Sequence, residues 1–208
     1  MKIGVLGLQG AITEHVKACN AAINEAGIEG ETFWLKGKSQ LSEIDGLIIP
    51  GGESTTIGRL ITKAGMFDRL RDMGKNGFPI LGTCAGLILL AKEGEKEIKR
   101  TGQPLLKLMD MKVTRNAFGG QRESFEADLD ITALGNEPFK GVFIRAPAIK
   151  KVWGEANPLA RYDDKIVAAE QGNLLAFAFH PELTSDTRVH RYFLKKVKSY
   201  YSNKSRTP

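Results

Sequence analysis

The sequence predicts one α/β domain, a three-layer sandwich with a mostly parallel central sheet and a smaller antiparallel portion. Three observations carry that expectation. Strand-like and helix-like patterns alternate through the first half, and β-rich stretches dominate the second. Unusual residues then cluster at the ends of three predicted strands: "IIPGGES", "ILGTCAG" and "FAFHPEL". Alternation of this kind implies a parallel sheet covered on both faces. In such sheets ligands bind beyond the carboxyl ends of the strands.

"KIGVLGL" (residues 2–8) is a short apolar run of the kind that forms a buried parallel strand. In "TEHVKACNAAINEAG", Val16, Cys19, Ile23 and Ala26 recur at helical spacing, with Thr13 placed to cap the start and Gly27 to end it. "ETFWLK" and "DGLIIP" are the next strands. "STTIGRLITKAG" reads as a helix capped by Ser54 or Thr55, and "MFDRLRDM" as a shorter one. "FPILGTC" is the fourth strand and "AGLILLAKEG" its helix. Residues 92–103 read as a charged, variable loop. The strands "MKVTRN", "SFEADLDI", "GVFIRAPAI", "KIVAAEQG" and "NLLAFAFHPEL" follow, and a last amphipathic helix spans about residues 186–201. The domain is expected over residues 1–202, with 203–208 as a tail.

Composition narrows the class. The chain has 208 residues, 42% hydrophobic and 26% charged, which suits one ordinary globular domain with a sizeable core. No apolar run approaches the roughly 18–20 residues of a membrane span, so no membrane association is expected. Two cysteines are too few for a disulfide framework, and a reducing cytoplasmic setting is the expectation. The net charge of +6 gathers near the C-terminus, in "RVHRYFLKKVKSYYSNKSR". No nucleic-acid-binding module accompanies it, so it reads as a solvated helix face. Gly4, Gly7 and Gly10 do not match the G-x-G-x-x-G spacing, and no cofactor is expected.

Gly82-Thr83-Cys84-Ala85-Gly86 has the form of a nucleophile elbow with cysteine in place of serine. Small flanking residues let strand and helix approach closely, and the helix start favours a negatively charged sulfur. A buried structural cysteine is the alternative, and the pentapeptide alone does not decide. His180-Pro181-Glu182 places an imidazole and a carboxylate two residues apart, on one side of an extended segment. A cysteine, a histidine and an orienting carboxylate form an activated nucleophile. An isolated H-x-E is otherwise a surface histidine beside a cap. Pro50-Gly51-Gly52-Glu53-Ser54 can present backbone N–H groups to an oxyanion, though Gly-Gly before a cap is also common turn chemistry. The three together are the strong signal. Cys19 reads as core, and His15 and His190 lie in helices without spaced partners, so no metal site is expected.

These three motifs resemble those of class I (triad) glutamine amidotransferases. "IGVLGLQGAITEH", "PGGESTTIGRL", "GVFIRAP" and "FHPELTSDTRVHRYF" narrow the resemblance to the glutaminase subunits of pyridoxal 5′-phosphate synthase, over nearly the whole chain. The resemblance implies that Cys84 attacks the side-chain amide of L-glutamine while His180, oriented by Glu182, protonates the departing ammonia. It implies an oxyanion site at the N–H groups of Gly52 and Ala85. It also implies substrate contacts from Gly52, Glu53, Ser54, Arg115, Ile144 and Arg145. An arginine suits the α-carboxylate of a free amino acid, because it can pair bidentately. The implied partner is a (β/α)8-barrel synthase subunit that receives the ammonia and joins it to a pentose phosphate and a triose phosphate. Activity is expected to be low until that partner rearranges the oxyanion loop, and Gln9 is expected at the partner interface. Where the family usually has arginine in N-x-F-G-R-Q, this chain has Gly120. Two other readings stand beside this one: the glutaminase subunit of another amidotransferase, and a non-catalytic glutamine-sensing module.

Overall fold

The computed structural model describes residues 1–119 and 123–204. The fold begins with β1 (Lys2–Leu6), α1 (Ile12–Glu25), β2 (Glu31–Leu35), β3 (Gly46–Ile49), α2 (Ser54–Lys63), α3 (Phe67–Lys75), β4 (Ile80–Thr83) and α4 (Ala85–Leu90). It continues with β5 (Ala91–Gly94), α5 (Lys96–Arg100), β6 (Met109–Thr114), β7 (Ser124–Leu129), β8 (Phe139–Ile144) and β9 (Ala148–Val152). β10 (Asn157–Tyr162), β11 (Lys165–Gln171), β12 (Leu174–Phe177) and α6 (Arg188–Lys204) complete it.

Nine strands of the main sheet run in the order β2-β1-β3-β4-β12-β11-β9-β6-β5, and β10 pairs with β11. From β2 to β12 every pairing is parallel. β11 turns antiparallel to β12, and β9 is antiparallel to both β11 and β6. β7 and β8 form a separate antiparallel ribbon. α1 packs with α6, and α2 packs with α3 and α4, giving the helical layers. β1, β3, β4 and β12 are buried almost throughout, as strands covered on both faces must be.

The expected architecture holds, with local differences that have physical reasons. The helix expected over residues 85–94 stops at Leu90. Ala91 turns extended, and β5 pairs with β6 through Ala91↔Met109. "AKEG" has no strand propensity of its own, so long-range pairing decides. The expected loop over residues 92–103 therefore holds part of β5 and all of α5, which buries Ile98. "GVFIRAPAI" breaks into β8 and β9 at Arg145, which has φ 42°. β10, in "NPLARY", is a strand that periodicity does not reveal. α1 starts at Ile12 with Ala11 as an N-cap that makes no side-chain bond, so Thr13 sits inside the helix. Gly27 closes it at φ +60°, as expected.

α6 runs through Lys204, past the expected boundary at 202. The rest of the expected tail and Gly120 lie outside the described residues. Among the described residues no helix is long and apolar enough to cross a membrane.

Candidate active site

Parallel order brings the C-terminal ends of β3, β4 and β12 side by side, and each end carries one of the three motifs. At β4 the chain enters α4 through Cys84, whose φ 48° and ψ −98° make it a strained, non-glycine elbow. The flanking glycines are there for close approach. A Cβ on Gly86 would overlap the carbonyl oxygen of Ile49, and one on Gly82 would meet the Gly86 backbone at 2.6 Å. Strand, elbow and helix can stack only without those carbons. Ala85 is the first residue of α4, so its N–H is among the donors a helix start leaves unpaired.

At the end of β12, His180 precedes a short 3-10 turn over Pro181–Leu183. The two-residue spacing works through this turn rather than through an extended strand. His180 Nδ1 lies 2.7 Å from Glu182 Oε1, and both side chains are buried. The opposite edge of the imidazole faces the Cys84 side chain. Burial works against the imidazolium, but the interactions with Cys84 and Glu182 outweigh it and raise the His180 pKa to about 10. The Glu182 carboxyl is also held low: burial pushes it up, and facing His15 and His180 overcomes this.

The loop after β3 closes the site. A Cβ on Gly51 would strike the His180 ring, so this glycine admits the imidazole. Gly52 is packed equally tightly, since its Cβ would lie 2.5 Å from Gln9 Oε1. Glu53, rather than Ser54 or Thr55, caps α2. Its Oε1 accepts from the Thr55 N–H at 3.1 Å and its Oε2 from the Thr56 N–H at 2.7 Å. Burial opposes its charge, yet the Thr56 and Thr55 hydrogen bonds bring the Glu53 pKa down to about 2. Ser54 turns inward and donates to Gln103 Oε1 at 3.0 Å.

A cavity of about 290 Å³ opens over Cys84 and His180. Gly52, Glu53, Ser54, Ala85, Arg115, Ile144 and Arg145 all border it. Every residue expected to touch substrate therefore lines one small-metabolite cleft. Arg115 is held there by Glu53 Oε1 at 3.2 Å and Thr55 Oγ1 at 3.3 Å. Gln9 also lines the cavity, and its Oε1 accepts from the Glu53 N–H at 3.0 Å. Arg145 at φ 42° and Asn116 at φ 46° add backbone strain to the cavity lining.

Sequence reasoning missed Asn116, Ile88 and Pro147 in the cavity lining, and it missed two histidines buried behind Glu182. His15 and His190 are fully buried and meet each other, and His15 also meets Glu182. The available signal was the position of His15 on the buried stripe with Cys19 and Ala22, where a polar ring needs a buried partner. Cys19 is core, and both cysteines are free thiols.

A strained cysteine elbow on a parallel sheet, with a histidine and a carboxylate from the neighbouring strand end, defines a triad amidotransferase-type site. The chain belongs to the SNO glutamine amidotransferase family, whose model matches residues 5–199. It is 54% identical over 199 residues to "Pyridoxal 5′-phosphate synthase subunit PdxT" of Methanosarcina acetivorans, covering 96% of this chain and all of that one. The protein of the same name from Pyrococcus furiosus is 52% identical, over 95% of this chain and 99% of its own. A solved structure titled "Crystal structure of glutamine amidotransferase" is 44% identical, with a TM-score of 0.84, covering 94% of this chain and 98% of that one.

Proposed function

We propose that this chain is the glutaminase subunit of a pyridoxal 5′-phosphate synthase. It hydrolyses L-glutamine to L-glutamate and ammonia, and it passes the ammonia to a (β/α)8-barrel synthase subunit in the cytoplasm. The observation that carries the chemistry is the buried Cys84–His180–Glu182 line at the floor of an arginine-walled cleft. The subunit name shared by close, full-length relatives supports the assignment within the family and speaks against the alternatives.

Arg115 and Arg145 hold the glutamine α-carboxylate, and Glu53, Ser54 and Ile144 complete the grip. The Cys84 sulfur adds to the side-chain amide carbon, and the N–H groups of Gly52 and Ala85 receive the oxyanion. His180 gives its proton to the amide nitrogen as the C–N bond breaks, so ammonia leaves and a γ-glutamyl thioester remains. His180, now neutral, takes a proton from water as the hydroxide adds to the thioester carbon. Collapse then returns the sulfur and that proton to the starting state and frees glutamate. Glu182 keeps the imidazole in the tautomer and orientation that both transfers need. Gln9 reaches Glu53 from the loop after β1, on the side we assign to the synthase.

The test is glutamate release by the chain with and without the barrel subunit and its sugar phosphates. Glutaminase turnover should rise on adding the barrel and vanish in Cys84→Ala. A barrel that leaves turnover unchanged removes the synthase assignment, and an active Cys84→Ala removes the mechanism.

A further inference from the structure

Behind Glu182 the fold buries two imidazoles that glutamine hydrolysis, as written above, does not use. His15 stands in the first turn of α1 and His190 in the first turn of α6, both with no exposed surface. His190 Nε2 is 3.1 Å from His15 Nδ1. His15 Nε2 is 2.9 Å from Thr83 Oγ1 and 3.2 Å from Glu182 Oε2. Thr83 immediately precedes the nucleophile. A chain of side chains thus runs from α6 through α1 to the carboxylate and the elbow.

The carboxylate fixes the tautomers. Glu182 Oε1 takes the Nδ1–H of His180, and an imidazole lone pair facing Oε2 at 3.2 Å would be repelled. His15 therefore carries its proton on Nε2. Alignment favours Thr83 as the formal acceptor, because Glu182 Oε2 and His190 Nδ1 have no aligned hydrogen-bond partner. Oε2 then receives the positive end of the N–H dipole rather than a full bond. His15 Nδ1 is left as an acceptor, so His190 donates from Nε2. That choice makes the unpaired His190 Nδ1 a bare lone pair instead of an orphaned N–H, the cheaper arrangement. Burial lowers the pKa of both histidines, His190 to about 3. Two neutral rings support the Glu182 anion without cancelling its charge.

We propose that His15, set by His190, is a positioning residue of the triad. It holds Oε2 of Glu182 so that Oε1 stays on His180, and it ties the carboxylate to the elbow through Thr83. A structural role alone would be served by apolar side chains of similar volume, which avoid the cost of burying polar rings.

This rests on the glutaminase reading, and the test separates the two. His15→Gln places an amide N–H near the position of Nε2, whereas His15→Asn reaches only the position of Nδ1. Both are polar and smaller than histidine, so a difference between them reports the donor and not the fold. Glutamate release is followed against glutamine concentration with the synthase subunit present. His15→Asn should lose about 10- to 100-fold in kcat with KM within about twofold, as when an outer partner orients a catalytic group. His15→Gln should keep kcat within about threefold, and His190→Leu should fall between them. Equal kcat in the Asn and Gln variants, or a loss confined to KM, overturns the proposal. A wild-type complex that releases no glutamate instead overturns the glutaminase reading.

Discussion

His180 Nδ1 and Glu182 Oε1 lie 2.7 Å apart although only Pro181 separates the two residues. Proline opens the 3-10 turn that folds Glu182 back beneath the ring. Because the bond lies inside one turn, a change at Glu182 should affect the imidazole without disturbing the sheet. Glu182→Gln should leave the fold intact and cost about 10⁴-fold in kcat, the loss seen when the orienting carboxylate of a triad becomes an amide. Steady-state kinetics beside a far-ultraviolet dichroism spectrum check this. An active Glu182→Gln would remove Glu182 from the reaction.

The buried histidines set the acid limb of stability. His190 is held down to about 3 by burial, against about 6.5 for an exposed ring. The unfolded chain therefore binds a proton below pH 6.5 that the folded chain refuses. The stability this group contributes is present above pH 6.5 and is lost as pH falls towards 3, by about 1.4 kcal/mol per pH unit per proton. His15 acts in the same direction. His180 has the opposite sign: raised to about 10, it contributes fully below pH 6.5 and loses that contribution as pH rises through 10. Denaturant midpoints between pH 4 and 7 should fall steeply in the wild type and less steeply in His190→Leu. Parallel slopes would mean that His190 titrates normally.

Gly51 faces the His180 imidazole across a gap too small for a methyl group. Gly51→Ala should displace His180 from Cys84 and lower kcat at least about 100-fold, with a cost in stability of about 1–3 kcal/mol from overpacking. Gly86→Ala points its methyl at the Ile49 carbonyl instead and should mainly reduce stability. Melting temperatures and kcat for the two variants should therefore move in different proportions.

The three motifs and the sheet that aligns them were legible because each motif is local and sits where a buried apolar strand ends. Cys84, His180 and the Pro50–Ser54 loop needed only parallel order to meet. The role of Glu53 as cap was not legible, because the neighbouring Ser54 and Thr55 are the more usual cap residues and the longer glutamate takes the Thr55 and Thr56 N–H groups instead. β5 and β10 escaped because their residues pair for tertiary reasons. The contact of His15 with His190 joins the two ends of the chain, and no local spacing encodes it.

Arg115 is pre-set by Glu53 and Thr55, so its guanidinium is aimed before substrate arrives. A planar fork matches a carboxylate where an ammonium does not. Arg115→Lys should raise KM for glutamine about tenfold or more with a smaller change in kcat. Glu53→Ala should do the same and also cost about 0.5–2 kcal/mol of stability, because it removes the helix cap. If Arg115→Lys leaves KM unchanged, the carboxylate contact belongs to Arg145.

The two cysteines should differ in reactivity by orders of magnitude. Cys19 lies in the core on α1, and burial pushes its thiol up to about 12. Its sulfur is neutral and shielded at neutral pH, and such a thiol is inert. Cys84 faces the cavity beside His180. A glutamine analogue carrying an electrophile should therefore add once per chain, at Cys84, with the synthase subunit present. Cys19→Ala should leave both labelling and glutamate release near wild type, while Cys84→Ala abolishes both. Peptide mass mapping reads the site directly, and an adduct on Cys19 in the folded protein would show that α1 opens far more readily than its packing implies.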